Sequence, residues 1–158
     1  MKEIRVEAHC GPEHLKLYNS PSPVPGPGRR GGGPLACNQV LYHLQQRSIE
    51  HAVLPWCEMH GVAATGYSPF GHRRFSASHT ESGRVLAKIA ETRDTTPRKV
   101  ALAFLTRRQS LFTIPKASTP THAEEDAGAG DLNLSESEIA LIDAAFPRGP
   151  RPARLPVL

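Results

Sequence analysis

Apolar residues recur along this chain at two different spacings, and the switches between them mark out alternating strands and helices. Leu35–Leu41 (LACNQVL) is a short apolar run of strand length. Ser48 then offers an N-cap to a helix whose apolar positions Ile49, Ala52, Val53, Trp56 and Cys57 follow i, i+3, i+4, i+7, i+8. That stripe predicts a buried Trp56, and Gly61 stands where a C′ glycine ends a helix. Val62–Tyr67 (VAATGY) reads as a second strand, stopped by Ser68-Pro69-Phe70-Gly71 and followed by a polar loop, His72–Glu81. Arg84–Arg93 carries Val85, Leu86, Ile89 and Ala90 on one helical face. A further helix opens at Thr96 as N-cap with Pro97 at N1, and is expected to reach Arg108 with Val100, Ala101, Phe104 and Leu105 as its stripe. Arg107 and Arg108 would then lie at the negative end of its dipole.

Leu111–Ile114 is the third strand, closed by Pro115. Thr121-x-x-Glu124 and Ser135-x-x-Glu138 both have the form of a capping box, the latter with Leu134 and Ile139 placed as a hydrophobic staple. Ile139, Ile142 and Phe146 continue a helical face. Strands alternating with helices in this order predict an α/β fold with parallel strands.

The ends of the chain differ from this middle. Ser20–Pro34 (SPSPVPGPGRRGGGP) is mostly proline and glycine, a composition that excludes helix and central strand and reads as a linker. Ahead of it, residues 1–19 offer only a short strand at Ile4–Ala8 or a turn of helix at Pro12–Tyr18. The tail Pro147–Leu158 is proline-rich coil. The chain therefore divides into an arm and linker over 1–34, an α/β region over 35–146 and a tail over 147–158.

Charge and length narrow the function classes. A net charge of +4, not clustered, is no nucleic-acid footprint, and Thr121–Phe146 holds seven acidic residues without Lys or Arg. No apolar run is long enough to span a membrane and no secretory leader is visible, so a cytoplasmic location is expected. Three widely separated cysteines fit reduced thiols better than a disulfide framework. A length of 158 residues is too short for a complete (β/α)8 barrel. Eight histidines form no H-E-x-x-H, and no C-x-x-C, G-x-S-x-G or phosphate-loop motif occurs.

The informative chemistry sits at the strand ends. Each of the three finishes in polar or aromatic residues: Asn38-Gln39, Tyr67-Ser68, and Lys116 with Ser118 and Thr119. Parallel α/β folds bind ligands beyond the carboxyl ends of their strands. An amide can bond a carboxamide, an aromatic ring can stack on a flat heterocycle, and Lys with hydroxyls before a helix suits phosphate. Together these groups would make a nucleotide site.

The order of those groups carries a resemblance. The segments ACNQVLYHLQQRSIEHAVLPWCEMHGVAATGYSPFG, TPRKVALAFLTRR, LFTIPKASTPTHAEEDA and LNLSESEIALIDAAF, from about Ala36 to Phe146, resemble the C-terminal half of an aldo-keto reductase. The resemblance implies strands six to eight of a (β/α)8 TIM barrel and an NADP(H)-dependent oxidoreductase of aldehydes and ketones. By it, Gln39 would hold the nicotinamide carboxamide and Tyr67 would stack on the nicotinamide ring. Ser68 and Phe70 would lie along the pyrophosphate. Lys116, Ala117 and Ser118 would surround the 2′-phosphate, with Glu125 and Asp126 near the adenosine. His122 stands where the family usually has Arg, and Asp126 where it has Asn, which leaves NAD(H) open beside NADP(H).

No part of residues 1–35 resembles the motifs that carry the family's catalytic Asp, Tyr, Lys and His, so no catalytic residue is assigned. Lys16, Tyr18, Asn19 and Ser20 are given no role. The abrupt junction near Ala36 is what a shifted reading frame or a wrong start site over residues 1–34 would leave. A chain so truncated is expected to be inactive alone. It would be a nucleotide-binding or barrel-completing subunit, or a decayed fragment, and would self-associate through open barrel edges.

Overall fold

The computed structural model describes residues 2–6, 15–19, 36–71, 75 and 79–156, in two units, Met1–Pro34 and Leu35–Leu158. In the first unit β1 (Lys2–Val6) pairs antiparallel with β2 (Leu15–Asn19), from Lys2 opposite Asn19 to Val6 opposite Leu15. The expected strand at Ile4–Ala8 thus begins earlier, and residues 15–18 of the expected helical turn over Pro12–Tyr18 are strand; residues 7, 8 and 12–14 lie outside the described residues. Leu15-Lys16-Leu17 alternates with period two, and the register sets Leu17 opposite Ile4. The linker Ser20–Pro34 lies outside the described residues.

In the second unit β3 (Cys37–Leu41), β4 (Ala63–Tyr67) and β5 (Leu111–Ile114) form a parallel sheet in chain order. Leu41 pairs with Tyr67 and Tyr67 with Ile114, so the three strands end on one row. A 3-10 turn (Ser48–His51) and α1 (Val53–Met59) connect β3 to β4; α2 (Glu81–Thr92) and α3 (Pro97–Leu105) connect β4 to β5. After β5 come α4 (Pro120–Ala127), a 3-10 turn (Gly128–Asp131) and α5 (Glu136–Ala145).

Alternation along the strands creates two unlike faces. Val40, Ala64 and Leu111 are buried in one cluster with Leu54, Leu86, Ile89, Val100, Phe104, Leu105, Ile142 and Phe146 from the helices. Gly66 lies on the same face, where an added Cβ would sit 3.0 Å from that of Tyr42, so only glycine lets the buried Tyr42 ring lie against β4. On the opposite face Gln39 is exposed, Thr65 and Tyr67 are half-buried, and Phe112 and Ile114 are exposed at 55% and 49%.

Several local expectations hold. Thr96 accepts from the Lys99 amide with Pro97 at N1, Ser135 and Glu138 form both limbs of a capping box, and Gly61 has φ +64 after α1. Leu134 and Ile139 both pack against the core.

Others are corrected. Ser48 is not an N-cap: it is buried in the 3-10 turn, and α1 starts only at Val53. That break rotates the stripe, so Leu54 and Cys57 are buried while Trp56 is 47% exposed and stacks on His60 at 4.2 Å. The helix expected over Arg84–Arg93 begins at Glu81, capped by Thr80, whose hydroxyl accepts from the Gly83 amide. α3 stops at Leu105, and Arg107 turns back over the Phe104 ring instead of extending it. α4 is capped by Thr119 rather than Thr121, because Pro120 takes N1 and the Thr119 hydroxyl accepts from the His122 amide at 3.3 Å. Within the polar loop, 72–74 and 76–78 lie outside the described residues.

Candidate functional site

The row of strand ends opens onto two clefts. Tyr67 ends β4, and Ser68 takes a left-handed backbone (φ 54) that turns the chain sharply, with the Gly71 amide donating to the Ser68 carbonyl at 2.8 Å. This turn and the end of β5 enclose a cleft of about 280 Å³ lined by Ser68, Pro69, Phe70, Gly71, Arg98, Ile114 and Lys116. A smaller space of about 80 Å³ lies between Gln39, Val40, Leu41, Ile49 and Tyr67, and Leu155 and Pro156 of the tail close it.

Three of the residues singled out in the sequence, Ser68, Phe70 and Lys116, share the first cleft; Gln39 and Tyr67 share the second. Ala117 and Ser118 are exposed on the loop between Lys116 and the cap of α4, and His122 is exposed in its first turn. Glu125 and Asp126 lie further along α4, on the side that meets α3. The Glu125 carboxylate accepts the Thr96 hydroxyl at 2.5 Å. Asp126 has a side chain only 5% exposed, and burial pushes its carboxyl up, with Arg98 and His122 opposing the rise and Glu125 adding to it.

Two features escaped the sequence reading. Arg98, at the second position of α3, lies 3.7 Å from the centroid of the Phe70 ring and forms part of the first cleft, while Phe70 meets Phe75 edge-on at 5.4 Å. An Arg in the first turn of an amphipathic helix carries no sequence signal that distinguishes it from a solvated charge.

The second is a buried ionic cluster. Arg47 donates through Nε and Nη2 to the two Glu50 oxygens at 2.9 and 2.8 Å, and through Nη1 to the Phe146 carbonyl at 2.7 Å. Tyr42 and Arg107 also donate to Glu50, and Asp143 accepts from Arg47. Burial alone would raise the Glu50 carboxyl, but the hydrogen bonds from Arg47 and Tyr42 and the charges of Arg107 and Arg47 hold it at about 2. Arg47-x-x-Glu50 was visible as a spacing; the partners lie too far along the chain to be seen. Each charge is matched, so the cluster ties the β3 connection to the ends of α3 and α5.

Gln39, expected at a strand end, lies in the middle of β3 opposite Thr65, because the strand runs on to Leu41. The site thus combines an amide, two aromatic rings, hydroxyls and two cations beside the N-terminus of α4. This set suits binding of a flat heterocycle joined to phosphates. Among the described residues no group of His, Cys, Asp and Glu is placed to hold a metal ion, and no helix is long and apolar enough to cross a membrane.

Comparison with known proteins gives the family. The model of the aldo/keto reductase family matches residues 28–146, and the chain belongs to that family. It is 35% identical over 117 residues to methylglyoxal reductase YeaE of Escherichia coli (strain K12), covering 74% of this chain and 41% of that protein. It is 30% identical over 112 residues to the probable NAD(P)H-dependent D-xylose reductase xyl1 of Aspergillus clavatus, covering 65% of this chain and 32% of the relative. The crystal structure of an aldo-keto reductase from Klebsiella pneumoniae in complex with NADPH superposes with a TM-score of 0.70 at 34% identity, covering 78% of this chain and 43% of that one. The chain therefore spans about two-fifths of the length of the E. coli reductase. Its parallel strands and helices are part of a (β/α)8 barrel.

Proposed function

We propose that this chain is the nicotinamide-nucleotide-binding part of an NADP(H)-dependent reductase of aldehydes and ketones, and that it holds the dinucleotide at the ends of β3, β4 and β5. The observation that carries the reading is the gathering of Ser68, Phe70 and Lys116 around one cleft beyond neighbouring parallel strands. The Klebsiella relative holds NADPH, and the Aspergillus relative is named for NAD(P)H.

The residues present fit such a ligand. Gln39 and Tyr67 supply an amide and a ring on the open face for the carboxamide and the nicotinamide. Ser68 and Phe70 line the cleft for the pyrophosphate. Lys116 and the loop residues Ala117 and Ser118 precede α4, where its free amides and positive end attract a phosphate, with His122 alongside. In this reading Glu125 and Asp126 stand near the adenosine. When bound, the dihydronicotinamide supplies a hydride.

Reduction of a carbonyl also needs a proton donor beside the oxygen. Among the described residues, the space around Gln39 and Tyr67 is lined by no carboxylate, histidine or lysine. We accordingly expect the 158-residue chain to bind nucleotide without turnover, the acid coming from residues outside this site. The reading carries a cytoplasmic location, in keeping with the free thiols of Cys37 and Cys57.

Titration of the purified chain with NADPH, followed by nucleotide fluorescence, tests this. Saturable binding weakened by Lys116→Ala, with no NADPH consumed on addition of methylglyoxal, is the expected result. Failure to bind NADPH overturns the reading, and turnover overturns the assignment of the acid elsewhere.

A second reading, a subunit that completes a barrel with another copy, is favoured by Phe112 and Ile114, exposed on a strand that among the described residues is paired on one side only. Sedimentation that finds a monomer at micromolar concentration rejects it.

A further inference from the structure

The Arg98 guanidinium packs against Phe70 and is ion-paired only at long range with two acids. Its Cζ lies 3.7 Å from the centroid of the Phe70 ring on the wall of the strand-end cleft. Its Nη2 is 3.7 Å from Asp126 Oδ1 and its Nε is 4.0 Å from Glu125 Oε2, both longer than an N–H···O hydrogen bond. Glu125 is engaged instead by the Thr96 hydroxyl at 2.5 Å. Arg98 Nε and both carboxylate oxygens of Asp126 are buried without a hydrogen-bond partner.

The cleft wall therefore carries a cation whose Nε and Nη2 face two carboxylates beyond hydrogen-bond reach, and behind it lies a buried anion with unused acceptors. Lys116, the other cation lining the cleft, is an exposed point charge without a fixed geometry. A phosphomonoester is the ligand group that best answers this arrangement. Its oxygens match the guanidinium fork, and its double charge gains more from Arg98, and loses more to Asp126, than the single charge of a diester phosphate.

We propose that Arg98 reads a terminal phosphomonoester on the bound dinucleotide and so discriminates NADPH from NADH, with Asp126 as the competing anion that limits this preference. The inference rests on the nucleotide-binding reading above and adds to it the residue that sets its specificity.

The test measures dissociation constants of the purified chain and its variants for NADPH and NADH, with thermal unfolding as a check on folding. Arg98→Gln should weaken NADPH by roughly tenfold or more, the loss expected for a charge-assisted bond, and NADH by much less. Arg98→Lys, which keeps the charge but not the fork, should fall between. Asp126→Asn should tighten NADPH while leaving NADH nearly unchanged, a gain that a merely structural role for the pair does not produce. Equal effects of the Arg98 variants on both nucleotides, or weaker NADPH binding by Asp126→Asn, overturn the proposal. Arg98→Lys and Asp126→Asn are judged by the same ratio, so they decide the matter if Arg98→Gln does not fold. Wild-type chain that binds neither nucleotide overturns the underlying reading first, and this one with it.

Discussion

Glu50→Gln is expected to be among the most damaging single changes in the second unit. The wild-type carboxylate takes two hydrogen bonds from Arg47, one from Tyr42 and one from Arg107. An amide presents only one oxygen to these donors and turns its own NH2 group toward another. Arg47, with a side chain 2% exposed, then keeps only Asp143 as a charge partner, itself 46% exposed. Removing one member of a buried ion pair costs about 3–5 kcal/mol, because the remaining charge stays desolvated. Against a typical total of about 5–15 kcal/mol, that brings the unit close to unfolding. Urea unfolding followed by far-UV circular dichroism measures the loss. With a slope of about 1–3 kcal/mol per molar urea, the midpoint should fall by about 2 M without change of slope. The comparison is Glu58→Gln, which breaks an exposed pair with Arg108 and should move the midpoint only slightly. If the two variants shift it equally, the argument from burial is wrong. A double-mutant cycle between Arg47 and Glu50 should show strong coupling.

Acid stability follows from the same groups. The Glu50 and Glu138 carboxyls are held at about 2, below their ordinary 4.5, so their contribution is complete above about pH 4.5 and is lost as pH falls from there toward 2. An acid titration of stability should show this loss, and Glu50→Gln should flatten it. Thr119→Ala should cost about 1 kcal/mol as a lost N-cap, whereas Thr121→Ala should cost almost nothing; the reverse order in thermal unfolding would restore Thr121 as the cap. Trp56, the single tryptophan, should emit as a solvated indole and be readily quenched by acrylamide, and a blue-shifted, quencher-resistant emission would contradict its exposure.

What could be read from the sequence followed the range of the forces involved. β5 at Leu111–Ile114, the Thr96-Pro97 start and the Ser135 box depend on neighbours within a few residues, and all were legible. The Ser48 start failed because a five-position apolar stripe was read through a break at Ala52, whose backbone (φ -146) leaves the helix. Trp56 was misplaced by the same break. Ser68, Phe70 and Lys116 stand on two adjacent strand ends, so alternation and strand order were enough to bring them together. Arg98 and the Arg47–Glu50 cluster depend on partners at distant positions, Phe70 and Asp126 for one, Arg107 and Asp143 for the other. Those approaches are set by how α3, α4 and α5 pack, which local patterns do not encode.

The simple order of the sheet has a consequence for how the unit comes into being. Each strand lies beside the one before it in the chain, with no strand inserted later between earlier neighbours. A ribosome delivering this chain therefore hands over one strand and its crossover at a time, and each finds its template already in place. β4 can close on β3 once the 3-10 turn and α1 have emerged, and β5 can close on β4 after α3, without reopening what has formed. Arg47, by contrast, waits until Asp143 and the Phe146 carbonyl arrive, almost a hundred residues later. The ionic cluster is thus the last lock to engage: it fastens a sheet that has been assembled vectorially.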